Sequence, residues 1–404
     1  MKKGEEKAFV KKTKTLNYGL EFTHGVRRAL MGALGILYFI SLGYDIIAVT
    51  SLFAISTIIM TFFEFPTGAI ADYDSRKKSI VISLFLLSVA FFGLFLFKDF
   101  WILATCWILG DIAWTFSSGA GSAWILDALK YHKKKDKIVN LISRSYFSEK
   151  SGYVLGGLIG LVVVAINFSF VWLIVSIMNL GMMFLVIRFM EERNFKPEKI
   201  PRSYLSKALI KAKESFVYIF HKENKNTLNL ILIGFLGTVT IGSFYIIIPL
   251  FFYEVFNLNP GYVSGLFSLV VGISLISPFL AERISKTKTL NFSIALTFLV
   301  MGISIFLIGF SSSLILAIIF FALMQLSLTA SDVLTDSALN HEFSSKIRAS
   351  LGSLNNIVWA LAFSLASFLT GLGIVHLGLK SMLFISGALT LVSGLLYFFR
   401  LKNL

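Results

Sequence analysis

The chain has 404 residues, of which 56% are hydrophobic and only 15% are charged. Soluble globular domains carry about 25% charged residues, so this composition excludes an ordinary soluble protein and indicates a polytopic membrane protein. The formal net charge of +15 would suit a nucleic-acid-binding protein, but most basic residues lie in the polar segments between long apolar runs. We therefore expect no nucleic-acid partner.

We predict twelve membrane-spanning helices, because twelve apolar runs reach the length of about 20 residues that an α-helix needs to cross a bilayer. The runs lie at 20–42, 46–68, 79–97, 100–126, 147–167, 170–190, 228–252, 261–281, 289–310, 314–336, 349–374 and 379–399. This pattern predicts an all-α polytopic protein surrounded by the lipid bilayer.

The widest polar interruption divides the chain into two halves of six helices each. The N-terminal half covers 1–190, a cytoplasmic linker covers 191–227 and the C-terminal half covers 228–404. Apolar residues among lysines predict an amphipathic helix at 203–220 on the inner leaflet, with a solvated linker as the alternative. On this plan 32 of the 37 Lys and Arg residues lie on one side, which predicts cytoplasmic termini in the cell membrane.

The two halves also repeat in sequence. A shift of 210 residues places Glu282 on Asp72, and a shift of 209 residues places Asp336 on Asp127. Two nearly equal offsets indicate duplicated halves. Because each half has six predicted helices, the halves share one orientation and are related by an axis along the membrane normal.

The most specific motif is the loop at 64–78, E-F-P-T-G-A-I-A-D-Y-D-S-R-K-K, which contains Gly68, Asp72, Arg76 and Lys77. It resembles the loop between helices 2 and 3 of the major facilitator superfamily, G-x-x-x-D-x-x-G-R-[KR], with a serine in place of the second glycine. An ordinary basic membrane hairpin is the alternative. The resemblance implies the fold of that family, with two pseudo-symmetric six-helix bundles.

A second motif lies at 118–127, S-G-A-G-S-A-W-I-L-D. It resembles the end of helix 4 in a bacterial and archaeal branch of the same superfamily. In that family the aspartate at this position joins charges of the preceding loop in a cluster that locks the outward-facing state. The resemblance therefore implies a cytoplasmic gate made by Asp72, Arg76 and Asp127.

Polar residues at helical spacing predict a wet cavity, because an ionisable group in the bilayer needs a partner or water. Asp111 lies near the middle of the fourth span, and Thr115 and Ser118 continue its face. The tenth span carries Gln325 and Asp332. In the family, helices 1, 4, 7 and 10 line the cavity. We expect Asp111 to be the first candidate proton carrier and Asp332 the second, with a neutral or helix-bonded carboxyl as the alternative for Asp111.

The first span is unusual because its apolar run, 29–42, is too short to cross the bilayer alone. The span must reach back past Arg28, which shares a helical face with Glu21 and His24. Three roles for Arg28 follow from this placement. It could bind an anionic group in the cavity, pair with Asp111 or snorkel to the inner headgroups.

These observations predict a secondary active transporter that works by alternating access. Proton-coupled efflux of an amphipathic or cationic small molecule, by antiport, is the leading hypothesis. Uptake of an anionic metabolite, lipid flipping and a transport-dead membrane scaffold are the alternatives. The sequence contains no phosphate-binding loop and no H-E-x-x-H pair, so we expect no enzyme activity, cofactor or metal. We expect a monomer with a small molecule and protons as partners.

Overall fold

The computed structural model of the protein describes residues 3–131, 138–192, 198–199, 201, 204–221, 225–342 and 348–400. Within these residues, fifteen α-helices and one short π-helix form, and no strand does. The protein is an all-α polytopic membrane protein, as its apolar pattern predicts.

The helices follow one another in chain order and are joined by short connections. The first seven are α1 (Lys3–Ser41), α2 (Ile46–Ala69), α3 (Arg76–Leu96), α4 (Phe100–Thr115), α5 (Ala120–Tyr131), α6 (Ile138–Ile166) and α7 (Phe170–Phe189). The others are α8 (Tyr204–Ile219), α9 (Lys225–Glu254), α10 (Pro260–Ser274), α11 (Ser277–Thr287), α12 (Leu290–Phe310), α13 (Leu314–Glu342), α14 (Arg348–Leu377) and α15 (Leu379–Arg400).

Ten helical segments of the described chain are long and apolar enough to cross a membrane. The two other predicted spans, 20–42 and 100–126, correspond to α1 and to α4 followed by α5. α1 has 39 residues and carries charged side chains within the predicted span. α4 is apolar but has only 16 residues.

The fourth span corrects the sequence prediction, which treated 100–126 as one helix. A turn at 116–119 ends α4 and separates it from α5. Within the turn, the hydroxyls of Ser117 and Ser118 donate to main-chain carbonyls one turn back, at 3.2 and 3.4 Å. Such bonds compete with the helical ladder, and Gly119 adds backbone freedom at the same place.

Contacts divide the helices into two compact units. Unit 1 comprises Met1–Leu42, Ile59–Leu205 and Pro260–Ser268, and unit 2 comprises Gly43–Ile58, Ser206–Asn259 and Leu269–Leu404. Each unit thus contains most of one half of the sequence and a short segment from the other half.

In unit 1 the exchanged segment, Pro260–Ser268, packs against α6 through small residues. A Cβ added to Gly157 would overlap Ser268, and one added to Gly160 would overlap Ser264. The hydroxyl of Ser264 donates to the carbonyl of Gly157 at 3.1 Å. Small residues allow this approach, because helix association within lipid depends on close packing and hydrogen bonds.

In unit 2 the exchanged segment, Gly43–Ile58, packs against α14 in a similar way. A Cβ added to Gly371 would overlap the side chain of Thr50. The hydroxyl of Ser364 donates to the carbonyl of Ala54 at 3.0 Å. Both units therefore hold their exchanged segment with a glycine and a serine hydroxyl.

The interior of unit 1 is aromatic around α1. Trp172 is fully buried, and its ring lies 6.0 Å from Phe91 and 5.3 Å from Tyr38. The hydroxyl of Tyr38 donates to the carbonyl of Leu94 at 2.7 Å. These contacts hold the C-terminal end of α1 against α3 and α7.

Candidate functional site

A cavity of about 200 Å³ lies within unit 1, beside α1, α4 and α6. Three of its lining side chains are charged or potentially charged and come from α1: Glu21, His24 and Arg28. Glu149 of α6 and Trp114 of α4 also line it. The cavity therefore combines charges of both signs with an aromatic wall.

Glycines bring α6 close enough to α1 to form this wall. A Cβ on Gly25 would overlap the backbone carbonyl of Glu149, and a Cβ on Gly152 would overlap that of Phe22. The main chains of the two helices are thus in direct contact. This contact sets Glu149 beside the charged face of α1.

The charged centre of the cavity is an ion pair between Arg28 and Glu149. Arg28 Nη1 lies 2.6 Å from Glu149 Oε1. The Glu149 side chain is 16% exposed, whereas the Arg28 side chain is 58% exposed. A charge-assisted bond of this length is strong, and the guanidinium still presents much of its surface to the cavity.

Glu149 is the site residue that the sequence analysis missed. The sequence prediction considered Asp111 as a partner for Arg28, and the structure adds Glu149 as an ion-pair partner that was not considered. Glu149 lies three residues before Gly152, whose close packing points this face of α6 at α1. An acidic residue just before a run of glycines was the available signal.

Trp114 forms the aromatic wall and has a cationic and a potentially cationic neighbour. The His24 ring meets it edge-on at 4.8 Å, and the Arg27 guanidinium lies 4.6 Å from its ring centroid. Arg27 is buried, and its Nη1 contacts the sulfur of Met31 at 3.5 Å. A desolvated cation over Trp is a favourable pairing, so Trp114 stabilises the arginine behind the cavity.

His24 and Glu21 make a looser contact. His24 Nδ1 lies 4.0 Å from Glu21 Oε2, which is too long for a hydrogen bond. His24 Nε2 is buried and has no hydrogen-bond partner among the described residues. A buried polar atom without a partner is uncommon in native structures, so the polar groups of this wall are not fully satisfied by one another.

The three polar residues predicted on one face of the fourth span have different surroundings in the structure. Ser118 lines the cavity. Thr115 is buried and accepts a hydrogen bond from Thr67 at 3.0 Å. Asp111 is partly buried, and its charge acts on Arg27. The charge of Glu149 acts on the same buried arginine.

The candidate residues of the tenth predicted span lie in unit 2. Both Gln325 and Asp332 are carried by α13. Gln325 is partly buried and Asp332 is exposed. Their roles remain predictions.

The loop after α2 is stabilised by a residue that the motif does not contain. Ser75 caps α3 by accepting from the main-chain N–H of Lys78 at 3.0 Å. Glu192 accepts from the hydroxyl of Ser75 and from the N–H of Arg76, at 2.5 and 2.8 Å. Lys77 Nζ donates to a carbonyl of α7 at 2.7 Å. Glu192 and α7 therefore anchor the start of α3.

The remaining gate residues are Gly68 and Asp72, which precede Ser75 in sequence, and Asp127 of α5. A π-helix, Ile70–Asp74, continues α2 where the sequence predicts a loop, and Asp72 is exposed on it. The hydroxyl of Tyr204 lies 3.8 Å from the Cβ position of Gly68. Burial, and then the charge of Asp72, raises the pKa of Tyr204. The side chain of Asp127 lies outside the described residues, so the three-residue cluster stays a prediction.

No group of three or more His, Cys, Asp or Glu side chains within the described parts of the chain could hold a metal ion. The arrangement of unit 1 instead suits the binding of charged organic groups or protons. Carboxylates, a guanidinium and an indole lie around one small cavity.

The sequence model of the Major Facilitator Superfamily matches residues 22–331. The chain belongs to this superfamily. Its likeness to solved structures extends over nearly the whole fold. A POT family transporter in complex with 5-aminolevulinic acid aligns with a TM-score of 0.77 and 14% identity, covering 96% of this chain and 94% of that one.

The nucleoside transporter NupG aligns with a TM-score of 0.73 and 13% identity, covering 98% of this chain and 100% of that one. At these identities the likeness shows the fold alone. No curated protein sequence matches the chain. Together, the superfamily and the fold show that the protein is a multi-pass membrane transporter and not an enzyme.

Proposed function

We propose that this transporter exports a cationic or amphipathic small molecule in exchange for protons, by alternating access of its two halves. The observation that carries the proposal is the charge of the unit 1 cavity. Among the described lining residues, two carboxylates, Glu21 and Glu149, face the single guanidinium of Arg28. A carboxylate that is not neutralised by an arginine can hold either a proton or a cationic group, which is the requirement for exchange.

Asp111 is the first proposed proton carrier, and Asp332 is the second. The charge of Asp111 acts on buried Arg27, which contacts the cavity wall at Trp114. Protonation of Asp111 would leave that arginine without this compensating charge. Proton binding at Asp111 would thereby change the electrostatic field in the cavity.

The inner gate is proposed to use the loop motif of the superfamily. Gly68, Asp72, Arg76 and Lys77 would work with Asp127 to hold one state of the transport cycle. The anchoring of this loop by hydrogen bonds to Glu192 supports a rigid gate element. On this proposal the protein functions as a monomer in the cell membrane, with both termini in the cytoplasm.

A second candidate function is the uptake of an anionic metabolite. It is favoured by Arg28, whose side chain is 58% exposed while lining the cavity. The two functions predict opposite substrate charges. They also differ in direction, because the first function moves the substrate out of the cell and the second moves it in.

Purified protein in liposomes with an internal pH dye tests the proposal. Panels of organic cations, sugars, organic anions and lipid-like compounds are added, and proton movement is recorded. We expect a response to a cation, loss of that response in Asp111→Asn, and no change in Glu214→Gln, which alters an exposed carboxyl on α8.

An unchanged pH dependence in Asp111→Asn would rule out its role as carrier. A response to anions alone would establish the second candidate. Absence of proton movement with every compound of the panel would contradict proton coupling and favour a lipid substrate or a scaffold.

A further inference from the structure

Two features of the unit 1 cavity favour substrates of opposite charge, and they lie in the same wall. Glu21 favours a cationic group, and Arg28 favours an anionic group. We propose that the cavity binds a small zwitterion, with its ammonium group against Glu21 and its carboxylate against Arg28. This inference rests on the proposed transport function and refines the substrate class of the same site, from a molecule with a cationic group to one that carries an anionic group as well.

The carboxylate of Glu21 is suited to an ammonium group. Its contact with His24 Nδ1 is 4.0 Å long, beyond hydrogen-bond distance, and its side chain is 29% exposed. An ionised carboxylate has about four acceptor sites on its two oxygens. An entering ammonium group can therefore bond Glu21 without displacing a short hydrogen bond to His24.

The guanidinium of Arg28 is suited to a carboxylate even though it already pairs with Glu149. The pair uses Nη1 at 2.6 Å, and more than half of the side chain is exposed. A guanidinium has five N–H donors in a planar fork, which matches the two oxygens of a carboxylate. One arginine can thus contact Glu149 and a ligand carboxylate together.

A ligand with one charge would meet a like charge in this cavity. An anion at Arg28 approaches the carboxylate of Glu149, and a cation at Glu21 has Arg28 in the same wall. Like charges in a desolvated site are unfavourable. A zwitterion meets the same neighbours, but both of its charges have an opposite charge of the protein beside them, whereas a ligand with one charge leaves either Glu21 or Arg28 without a ligand group.

The size and spacing of the site limit the ligand further. The cavity volume of about 200 Å³ is below the 300 to 1,000 Å³ that is typical of pockets for drug-sized molecules. Glu21 and Arg28 are seven residues apart, which is a rise of roughly 10 Å along α1. A short ligand with its charges several bonds apart therefore fits better than an α-amino acid.

Isothermal titration of the purified full chain with three probes of matched length tests this inference. The probes are 5-aminopentanoate, pentylamine and pentanoate. We expect 5-aminopentanoate to bind at least about tenfold more tightly than either probe with one charge, because each charge-assisted bond is worth about a factor of ten. Glycine should bind more weakly than 5-aminopentanoate.

Two variants separate the two ends of the ligand. Glu21→Gln should reduce the affinity for 5-aminopentanoate to that for pentanoate. The double variant Arg28→Gln with Glu149→Gln removes both members of the ion pair, so no charge is left alone, and it should reduce the affinity to that for pentylamine. Glu214→Gln is the matched control and should bind all the probes as the unaltered protein does.

Equal affinity of the unaltered protein for 5-aminopentanoate and pentylamine would overturn the inference, and so would an unaltered affinity in Glu21→Gln. Absence of binding by all three probes would overturn it as well. The titration uses no proton gradient. Failure of proton coupling in liposomes would therefore contradict the proposed function, but it would not change the interpretation of the binding measurements.

Discussion

Units 1 and 2 are both helical bundles, but they bury different polar groups. Unit 1 buries Arg27 and His24 and surrounds a cavity with further charges. In unit 2, the buried polar side chains that the structure describes are serines and threonines, together with Asn291. Charged groups are costly within a bilayer and are concentrated at functional sites, so the difference supports the proposed substrate cavity in unit 1.

Many of the hydroxyls of unit 2 have a structural explanation. Thr240 donates to the carbonyl of Gly237 at 2.7 Å, and Ser304 donates to that of Val300 at 2.7 Å. Bonds within one helix satisfy a buried hydroxyl locally. These small residues allow close helix packing in unit 2, and they add no buried charge.

The largest predicted effect comes from placing a methyl group in the close contact between α1 and α6 beside the cavity. Gly25→Ala places a methyl group into the backbone of α6 at Glu149, which cannot move aside as a side chain can. We expect the free energy of unfolding to fall by about 3 kcal/mol or more, the upper part of the range for overpacked sites. Thermal melting and size-exclusion profiles in detergent measure this effect.

The matched control is Gly181→Ala on α7, where an added Cβ meets nothing within 4 Å. Alanine favours helix over glycine, so this variant should melt at the same temperature or slightly higher. Equal melting of the two variants would mean that α1 and α6 are not in direct backbone contact.

The next effect compares two ion pairs of equal length. Arg28 with Glu149 and Lys286 with Glu282 are both 2.6 Å apart, but Glu149 is 16% exposed and Glu282 is 61% exposed. Glu149→Gln should reduce transport at least tenfold and stability by about 1 kcal/mol, a value limited by the exposure of Arg28. Glu282→Gln should change neither the transport rate nor the melting temperature.

Transport assays and melting curves for these two variants give the comparison. A loss of transport in Glu282→Gln equal to that in Glu149→Gln would show that a surface pair contributes as much as the cavity pair. The division between the two units would then have no functional meaning.

The smallest effect separates a structural hydroxyl from a ligand contact. Thr115→Val removes the partner of Thr67 and keeps the shape of the side chain. We expect the free energy of unfolding to fall by about 1 kcal/mol, as for one buried hydrogen bond, with unchanged affinity for the transported solute.

Ser118→Ala alters a residue that lines the cavity. It should weaken binding of the solute and change the melting temperature little. Weaker binding in Thr115→Val would place Thr115 in the site.

Much of the fold was predictable because hydropathy and helix length carry the necessary information. The apolar runs predicted the spans, and the loop around Gly68 and Asp72 indicated the superfamily to which the chain belongs. The turn between α4 and α5 and the π-helix after α2 were not predicted. Both depend on local hydrogen bonds, which hydropathy does not reveal.

The candidate site was less predictable because it depends on contacts between distant parts of the chain. The sequence placed Glu21, His24 and Arg28 on one face, and all three line the cavity. Glu149 is 121 residues from Arg28 in sequence, and its role follows from the backbone contact at Gly25. Glu192 was missed for the same reason, since it caps a loop 116 residues away.

One measurement decides between the two units as the place of coupling. Substrate-triggered proton movement is recorded in liposomes for Glu21→Gln and Asp111→Asn in unit 1, and for Asp332→Asn, the second candidate carrier, in unit 2. The charged cavity predicts that both unit 1 variants lose the response and that Asp332→Asn keeps it. A full response in both unit 1 variants, with loss in Asp332→Asn, would contradict the assignment of substrate chemistry to unit 1.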